Sequence, residues 1–80
     1  MKTLKEIIRV DPEILGGTPV FAGTRVPVQS LFWHLEKGIP LEEFLLDFPS
    51  VSREQVLALL KAAETFFLPN NLRKTYEIAA

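Results

Sequence analysis

Residues 18–28 read Thr-Pro-Val-Phe-Ala-Gly-Thr-Arg-Val-Pro-Val and separate an extended N-terminal part of the chain from a helical remainder. Two short β-type runs, 19–21 and 25–26, flank a connection of the kind that closes a tight hairpin, because Gly23 can adopt a positive φ. Pro27 ends the second run, since it cannot donate a ladder hydrogen bond, and its fixed φ suits the start of a helix. The stretch therefore predicts a β-hairpin that leads directly into helices.

The chain before this hairpin also reads as extended. Residues 7–10 form a short β-branched run that predicts an edge strand. Asp11-Pro12-Glu13 breaks the run, and Gly16-Gly17 permits a sharp turn into the hairpin. We therefore expect three short strands in an N-terminal β-arm over residues 1–27.

Apolar residues at helical spacing predict three helices, over residues 28–37, 40–48 and 52–67. Ser52 and Gln55 form a capping box at the start of the third helix. A short second helix, a four-residue turn and a longer third helix are typical of a helix-turn-helix, although other trihelical bundles use similar lengths. The expected buried faces are Val28, Leu31, Phe32 and Leu35 in the first helix, Leu41, Phe44, Leu45 and Phe48 in the second, and Val56, Leu59, Leu60, Ala63 and Phe67 in the third.

Several short motifs follow one another in a specific order: Asp11-Pro12 to Ile14, Gly17 to Val20, Gly23 to Val28, Gly38 to Glu43, and Asp47-Phe48-Pro49. This order resembles the domain-of-unknown-function family 433. The resemblance implies a homeodomain-like helical fold, an antitoxin role in a two-gene toxin–antitoxin system, and a PIN-type nuclease as partner. We therefore expect a mainly α fold, with a homeodomain-like three-helix unit over residues 28–67 between the β-arm and a partner-binding tail over residues 68–80.

The composition favours association with another chain. The chain has 80 residues, enough for one small domain, yet 48% of them are hydrophobic and six are Phe. A chain of this size buries only about 60% of its unfolded surface. A homodimer or a complex with an obligate partner is therefore expected. The candidate dimer residues are Ile8, Val10, Val20, Phe21 and Val26 in the β-arm, and Trp33, which lies off the apolar face of the first helix.

The amino-acid composition argues against an enzyme. The chain has no Cys and one His, so thiolate zinc sites, two-histidine metal sites and a catalytic triad are excluded within one chain. His34 is expected to be a solvated or interface residue, and most carboxylates occupy first turns of helices or exposed faces. We expect no catalytic residues, metal, cofactor or small-molecule substrate. With no membrane span or signal peptide in the sequence, we expect a cytoplasmic protein.

The third helix carries the candidate DNA contacts. A net charge of −1 gives the chain no overall basic footprint, so binding would depend on a local patch. Ser52 and Gln55 are also explained by capping, and Glu54 would repel phosphate. Instead of contacting phosphate, Arg25 could be a solvated residue at the edge of the sheet, or it could pair with Asp11 or Glu13. The candidate residues are Arg25, Ser52, Arg53, Gln55 and Lys61.

The C-terminal segment is the candidate toxin-binding region. Pro69-Asn70-Asn71 interrupts the third helix, and Asn71 could cap a short final helix over residues 72–78. The alternatives are a tail that folds back over the helical core, or an unstructured end. The candidate residues are Phe66, Leu68, Leu72, Arg73, Lys74, Tyr76 and Ile78.

These observations lead to one expected function and two rivals. We expect an antitoxin that neutralises a PIN-like nuclease by direct binding and represses its own operon through the helix-turn-helix. The first rival is a stand-alone dimeric DNA-binding regulator. The second is a structural protein-interaction module that does not bind DNA.

Overall fold

The computed structural model describes residues 4–68 and has a mainly helical fold with a small antiparallel sheet near the N-terminus, as expected. Within these residues, four α-helices, two strands and one 3₁₀ turn follow one another. Their bounds are α1 Leu4–Ile7, β1 Ile8–Arg9, the 3₁₀ turn Leu15–Gly17, β2 Val20–Phe21, α2 Val28–Glu36, α3 Leu41–Asp47 and α4 Arg53–Phe66.

The hairpin turn is present, but its second arm is not a strand. The amide of Thr24 donates to the carbonyl of Phe21 at 3.0 Å, and φ is 78° at Gly23. Beyond the turn, Val20 and Pro27 form an isolated bridge. It lies between two hydrogen bonds of 3.0 Å, from the amide of Phe21 to the carbonyl of Val26 and from the amide of Val28 to the carbonyl of Pro19. The sheet instead pairs β1 with β2. The expected third strand is wrong because the chain enters α2 at Val28, immediately after the bridge at Pro27, so the pairing cannot continue.

The N-terminal strand is shorter than expected, and a helical turn precedes it. Ile7 ends α1 and is 2% exposed, while Val10 lies outside β1 and is exposed. In the sheet, Ile8 lies opposite Phe21, and Arg9 lies opposite Val20. The prediction of a strand over residues 7–10 is wrong at both ends. Ile7 belongs to the core and α1 packs against α4, so tertiary packing overrides the β propensity of this run.

The predicted ends of the helices are largely confirmed. After α2, the amide of Gly38 donates to the carbonyl of Leu35 at 3.0 Å, and the amide of Ile39 donates to the carbonyl of His34 at 2.9 Å. These two bonds form a Schellman motif, which requires the positive φ of 77° at Gly38. Pro40 immediately precedes α3, which ends at Asp47. The capping box at α4 is present as predicted.

The core joins the sheet to all three longer helices. Phe44 of α3 is fully buried, and its ring centroid lies 6.2 Å from that of Phe21 and 5.0 Å from that of Phe48. Aromatic pairs at these separations are favourable beyond the area they bury. The buried core residues are Ile7, Val20, Phe21, Val26, Leu31, Phe44, Val51, Val56 and Leu59.

Parts of the expected buried faces are exposed. Leu31 is fully buried in α2, but Phe32 and Leu35 retain more than a third of their exposure. Phe67, expected on the buried face of α4, is 64% exposed. These residues lie in or directly after helices, as their spacing predicts, but no element among residues 4–68 covers their side chains.

Candidate interaction surfaces

Two of the candidate DNA contacts are occupied by structural hydrogen bonds. Ser52 Oγ accepts from the amide of Gln55 at 3.1 Å, and Gln55 Oε1 accepts from the amide of Ser52 at 2.9 Å. Gln55 Nε2 also donates to the carbonyl of Ala22 at 2.8 Å. The side-chain amide of Gln55 is thereby bonded at both ends. It ties the hairpin turn to the start of α4.

Arg53 is paired with a carboxylate of the preceding helix. Its guanidinium donates to Glu42 of α3, and both side chains are at least half exposed. The hydrogen bond from Arg53 holds the pKa of the Glu42 carboxyl below its usual value, and the same bond raises the pKa of Arg53. The pair links α3 to α4 at the protein surface. A phosphate bound here would therefore compete with Glu42 for the guanidinium.

The remaining two candidate cations differ in their surroundings. Lys61 Nζ lies 3.1 Å from a carboxylate oxygen of Glu64, one turn along α4. Arg25 is exposed and has no ion pair among residues 4–68. Asp11, one of its alternative partners, instead binds Arg9 at 3.3 Å. The solvated edge position is therefore the alternative that the structure supports for Arg25.

The candidate dimer residues divide into buried and exposed groups. Val20, Phe21 and Val26 belong to the core of the chain itself, so their side chains cannot contact a second copy, and this part of the prediction is corrected. Ile8 is half-buried and packs against the same core. Val10 and Trp33 are the exposed members of the group.

Helix α2 leaves three apolar side chains at least partly exposed, Phe32, Trp33 and Leu35, and we call these residues together the α2 surface. Trp33 is 52% exposed, and the other two side chains are partly exposed. A small groove of about 280 Å³ adjoins Phe32 and is otherwise lined by Thr18, Pro19, Val28 and Gln29. Clustered exposed aromatic residues are enriched at protein–protein interfaces.

The candidate toxin-binding residues lie only partly within the described chain. Phe66 is 48% exposed and Leu68 is 51% exposed, with Phe67 between them. The rings of Phe66 and Phe67 meet edge to face, with centroids 5.1 Å apart. Three consecutive apolar residues are thus exposed at the end of α4. The other candidates, Leu72, Arg73, Lys74, Tyr76 and Ile78, lie outside the described residues.

A groove between α1 and α4 was missed in the sequence. It has a volume of about 600 Å³ and is mainly apolar, with the stem of Lys61 among its walls. Leu4 forms the α1 wall, and no helix was predicted there. The α4 wall follows the i, i+3, i+4 and i+7 spacing of one helix face. Its principal lining residues are Leu4, Ala58, Lys61, Ala62, Thr65 and Phe66. We call this feature the α1–α4 groove.

His34 is a structural residue rather than a solvated one. Its Nδ1 lies 2.7 Å from the carbonyl of Ser30, and its Nε2 lies 3.5 Å from the carboxylate of Asp47. The imidazole also meets the rings of Phe44 and Phe48 edge to face. His34 therefore joins α2 to α3, and this corrects the solvated reading.

Residues 4–68 contain neither a cluster of metal-binding side chains nor a helix that could cross a membrane. No group of three or more His, Cys, Asp and Glu side chains there could hold a metal ion. None of the helices in this range combines the length and the apolar character needed to cross a membrane.

Comparison with known proteins identifies the family. A family model described as "Protein of unknown function (DUF433)" matches residues 8–62. The chain belongs to the DUF433 family. It is similar to "Uncharacterized protein y4eO" of Sinorhizobium fredii (strain NBRC 101917 / NGR234), with 42% identity over 52 residues. That match covers 65% of this chain and only 24% of the relative. No solved structure is significantly similar to the chain.

The DUF433 region coincides with most of the folded core but stops before the exposed end of α4. Residues 8–62 contain both strands, α2, α3 and the first part of α4. Leu4 lies before this region, and Phe66, Phe67 and Leu68 follow it. The DUF433 match therefore covers most of the core and the hairpin, whereas the exposed end of α4 lies beyond the matched residues.

Proposed function

We propose that this DUF433 protein is an antitoxin that acts in the cytoplasm, has no enzymatic activity and neutralises a PIN-like nuclease by binding it directly. The observation that carries the proposal is the exposure of three consecutive apolar residues, Phe66, Phe67 and Leu68, at the end of α4. Contiguous exposed apolar groups are costly in water and are typical of protein-binding sites. The family resemblance supplies the identity of the partner.

In the proposed complex, the exposed end of α4 anchors the nuclease and the following segment reaches its active site. PIN-type nucleases gather carboxylates around a divalent metal. Arg73 and Lys74 follow the anchor by a few residues and carry charges opposite to that pocket. Arg73 is the stronger inhibitor of the two, because a guanidinium can pair with a carboxylate through two parallel hydrogen bonds.

Operon repression is the second part of the proposal, and it requires the helix-turn-helix formed by α3 and α4. Arg25 supports it, since it is an exposed cation without an ion pair in the described chain. The pair between Arg53 and Glu42 is exposed, and solvent weakens such pairs, so an operator phosphate can displace the carboxylate. With a net charge of −1, the free protein binds DNA weakly, and the complex with the nuclease binds it more tightly.

The operator contact can be tested on the complex. Arg53→Ala should weaken operator binding by about 1–3 kcal/mol if Arg53 reads a base edge. Lys37→Ala removes an exposed cation after α2 and serves as the matched control. Mobility shifts across a salt series measure both variants. Equal affinities of wild type and Arg53→Ala would leave the protein-interaction module as the better reading.

A homodimer completes the proposed assembly, so that two copies of α4 face one palindromic operator. The α2 surface supports self-association, because Trp33 and its neighbours Phe32 and Leu35 expose apolar area that residues 4–68 do not cover. Trp33→Ser should convert the dimer to a monomer in sedimentation experiments. A dimer that persists in this variant would place the interface elsewhere.

The antitoxin proposal is tested by co-expression with a PIN-like nuclease encoded beside this gene. The double variant Phe67→Ser with Leu68→Ser should bind and inhibit the nuclease at least tenfold less well, since each buried apolar side chain contributes about 1.5–3 kcal/mol. Leu46→Ser is the matched control, because Leu46 is 79% exposed and lies on α3. Co-purification and a nuclease assay measure the outcome.

The two variants separate the possible results. Loss of inhibition in the double variant, with full inhibition by Leu46→Ser, supports the proposed anchor. If the double variant binds and inhibits like wild type, the end of α4 is not the toxin-binding site. If the wild-type protein forms no complex with the neighbouring nuclease, the antitoxin role itself is wrong.

A further inference from the structure

Helix α4 carries an exposed leucine on a side that does not pack against the core. Leu57 is 50% exposed, whereas Val56 and Leu59 of the same helix are buried. We propose that Leu57 recognises a thymine in the major groove of the operator, by contact between its side chain and the 5-methyl group of that base. The inference rests on operator binding by α4, the second part of the proposed function, and names a specificity-determining residue for it.

Two cations flank Leu57 at helical spacing. Arg53 precedes it by four residues and Lys61 follows it by four, so the three side chains are neighbours along one side of α4. The side chains of both cations are at least half exposed. This side of the helix therefore presents a positive charge, an apolar group and a second positive charge in succession. Such an order is complementary to a surface with phosphates at its two edges and an apolar group between them.

The spacing of the two cations fits the major groove of duplex DNA. Lys61 lies eight positions after Arg53, which corresponds to about 12 Å along the helix axis. The major groove of B-DNA is also about 12 Å wide. A helix that crosses the groove can therefore direct the two cations at phosphates of opposite strands. Leu57, midway between them, then lies over the edges of the bases.

A leucine side chain can recognise only the apolar feature of a base pair, because it has no hydrogen-bond donor or acceptor. In the major groove that feature is the 5-methyl group of thymine. Contact with this methyl group removes apolar surface of both partners from water, which is favourable. Cytosine has no methyl group and presents a polar amino group instead. Leu57 should therefore favour a T·A pair over a C·G pair at the contacted position.

The neighbouring carboxylates are compatible with this contact. Glu42 and Glu64 pair with the two cations in the free protein, but both pairs are exposed and weakened by solvent, so DNA phosphates can replace them. Glu54 lies three residues before Leu57, and a carboxylate near base edges can accept a hydrogen bond from the amino group of cytosine. Because the binding depends on phosphates, its affinity should fall as salt is added.

The test deletes the methyl group of the base and the side chain of the protein separately. The probe is a duplex that the full chain selects from a random pool at low salt, where binding to phosphates is strongest. Replacing one thymine by deoxyuridine removes only the 5-methyl group and keeps the base pair. At the contacted position this replacement should weaken binding by the wild-type protein about three- to fivefold, the effect of exposing one buried methyl group. Leu57→Ala should bind the thymine and deoxyuridine duplexes equally.

Leu46→Ala is the matched control, because Leu46 is 79% exposed and lies on α3. It should keep the wild-type response to deoxyuridine, and far-UV circular dichroism would show that each variant is folded. If no thymine replacement affects the wild-type protein, or if Leu57→Ala responds as the wild type does, the assignment of Leu57 is wrong although operator binding stands. If the pool yields no bound duplex, operator binding fails and the inference fails with it. If Leu57→Ala binds DNA normally but no longer binds the nuclease, Leu57 is a protein contact and the inference is overturned.

Discussion

Gln55→Ala is the substitution that best separates a structural role from a DNA-reading role at the start of α4. It removes the acceptor for the amide of Ser52 and the donor to the half-buried carbonyl of Ala22. Each hydrogen bond contributes about 0.5–1.5 kcal/mol net, so the loss should be about 2 kcal/mol. A chain of 80 residues has a total stability of about 4–12 kcal/mol. The substitution should therefore lower Tm by about 8–16 °C.

Two further variants resolve this loss into its parts. Gln55→Glu keeps an acceptor for the amide of Ser52 and places a carboxylate at the positive end of the helix dipole. It cannot donate to Ala22, so it should lose the contribution of that bond and leave the carbonyl unsatisfied. Ser52→Ala removes the cap alone and should cost about 1 kcal/mol.

Urea unfolding followed by far-UV circular dichroism measures the free energy of unfolding of each variant, with the m-value as a check on two-state behaviour. If Gln55→Ala is within about 0.3 kcal/mol of wild type, the two hydrogen bonds do not contribute as reasoned from their geometry. If the same variant also loses affinity for the operator, Gln55 reads DNA instead. The structure predicts the opposite pair of results.

Three other substitutions test the core, a helix end and the surface ion pair. Phe44→Ala should lower the free energy of unfolding by about 3–5 kcal/mol in urea, because Phe44 is fully buried among other rings. Gly38→Ala should cost about 1–2 kcal/mol in the same assay, since φ there is positive although no atom obstructs the added methyl. Glu42 should titrate below the usual carboxyl pKa, so its pair with Arg53 contributes at neutral pH and is lost as pH falls through that lower pKa. Arg53→Met should return the pKa of Glu42 towards its usual value in a carbon-13 titration.

Features set by neighbouring residues could be predicted from the sequence. The capping box depends on Ser52 and Gln55, and the end of α2 depends on Gly38, so a window of a few residues contains the needed information. Prediction from such a short window is wrong for the β-branched run at residues 7–10. Its structure depends on α4, and a local propensity carries no information about a partner so distant in the chain.

The candidate sites show the same limit. Arg53 was recognised as a surface cation, but its partner Glu42 is on another helix, and the bond from Gln55 to Ala22 spans 33 positions. A short apolar strand such as Val20–Phe21 also does not indicate from its sequence whether its side chains face their own core or a second chain. The predicted interface therefore includes Val20 and Phe21, which are fully buried in the core of the chain itself.

The α1–α4 groove couples the two ends of the described chain. Helix α1 has only four residues, and a helix of that length has no stability of its own in water. It persists because Ile7 enters the core, and its fraying would remove Leu4 from the groove wall. Any occupant that contacts Leu4 therefore stabilises α1 by thermodynamic linkage, in proportion to its saturation of the groove. The exchange rates of the α1 amides should consequently report how often the groove is filled.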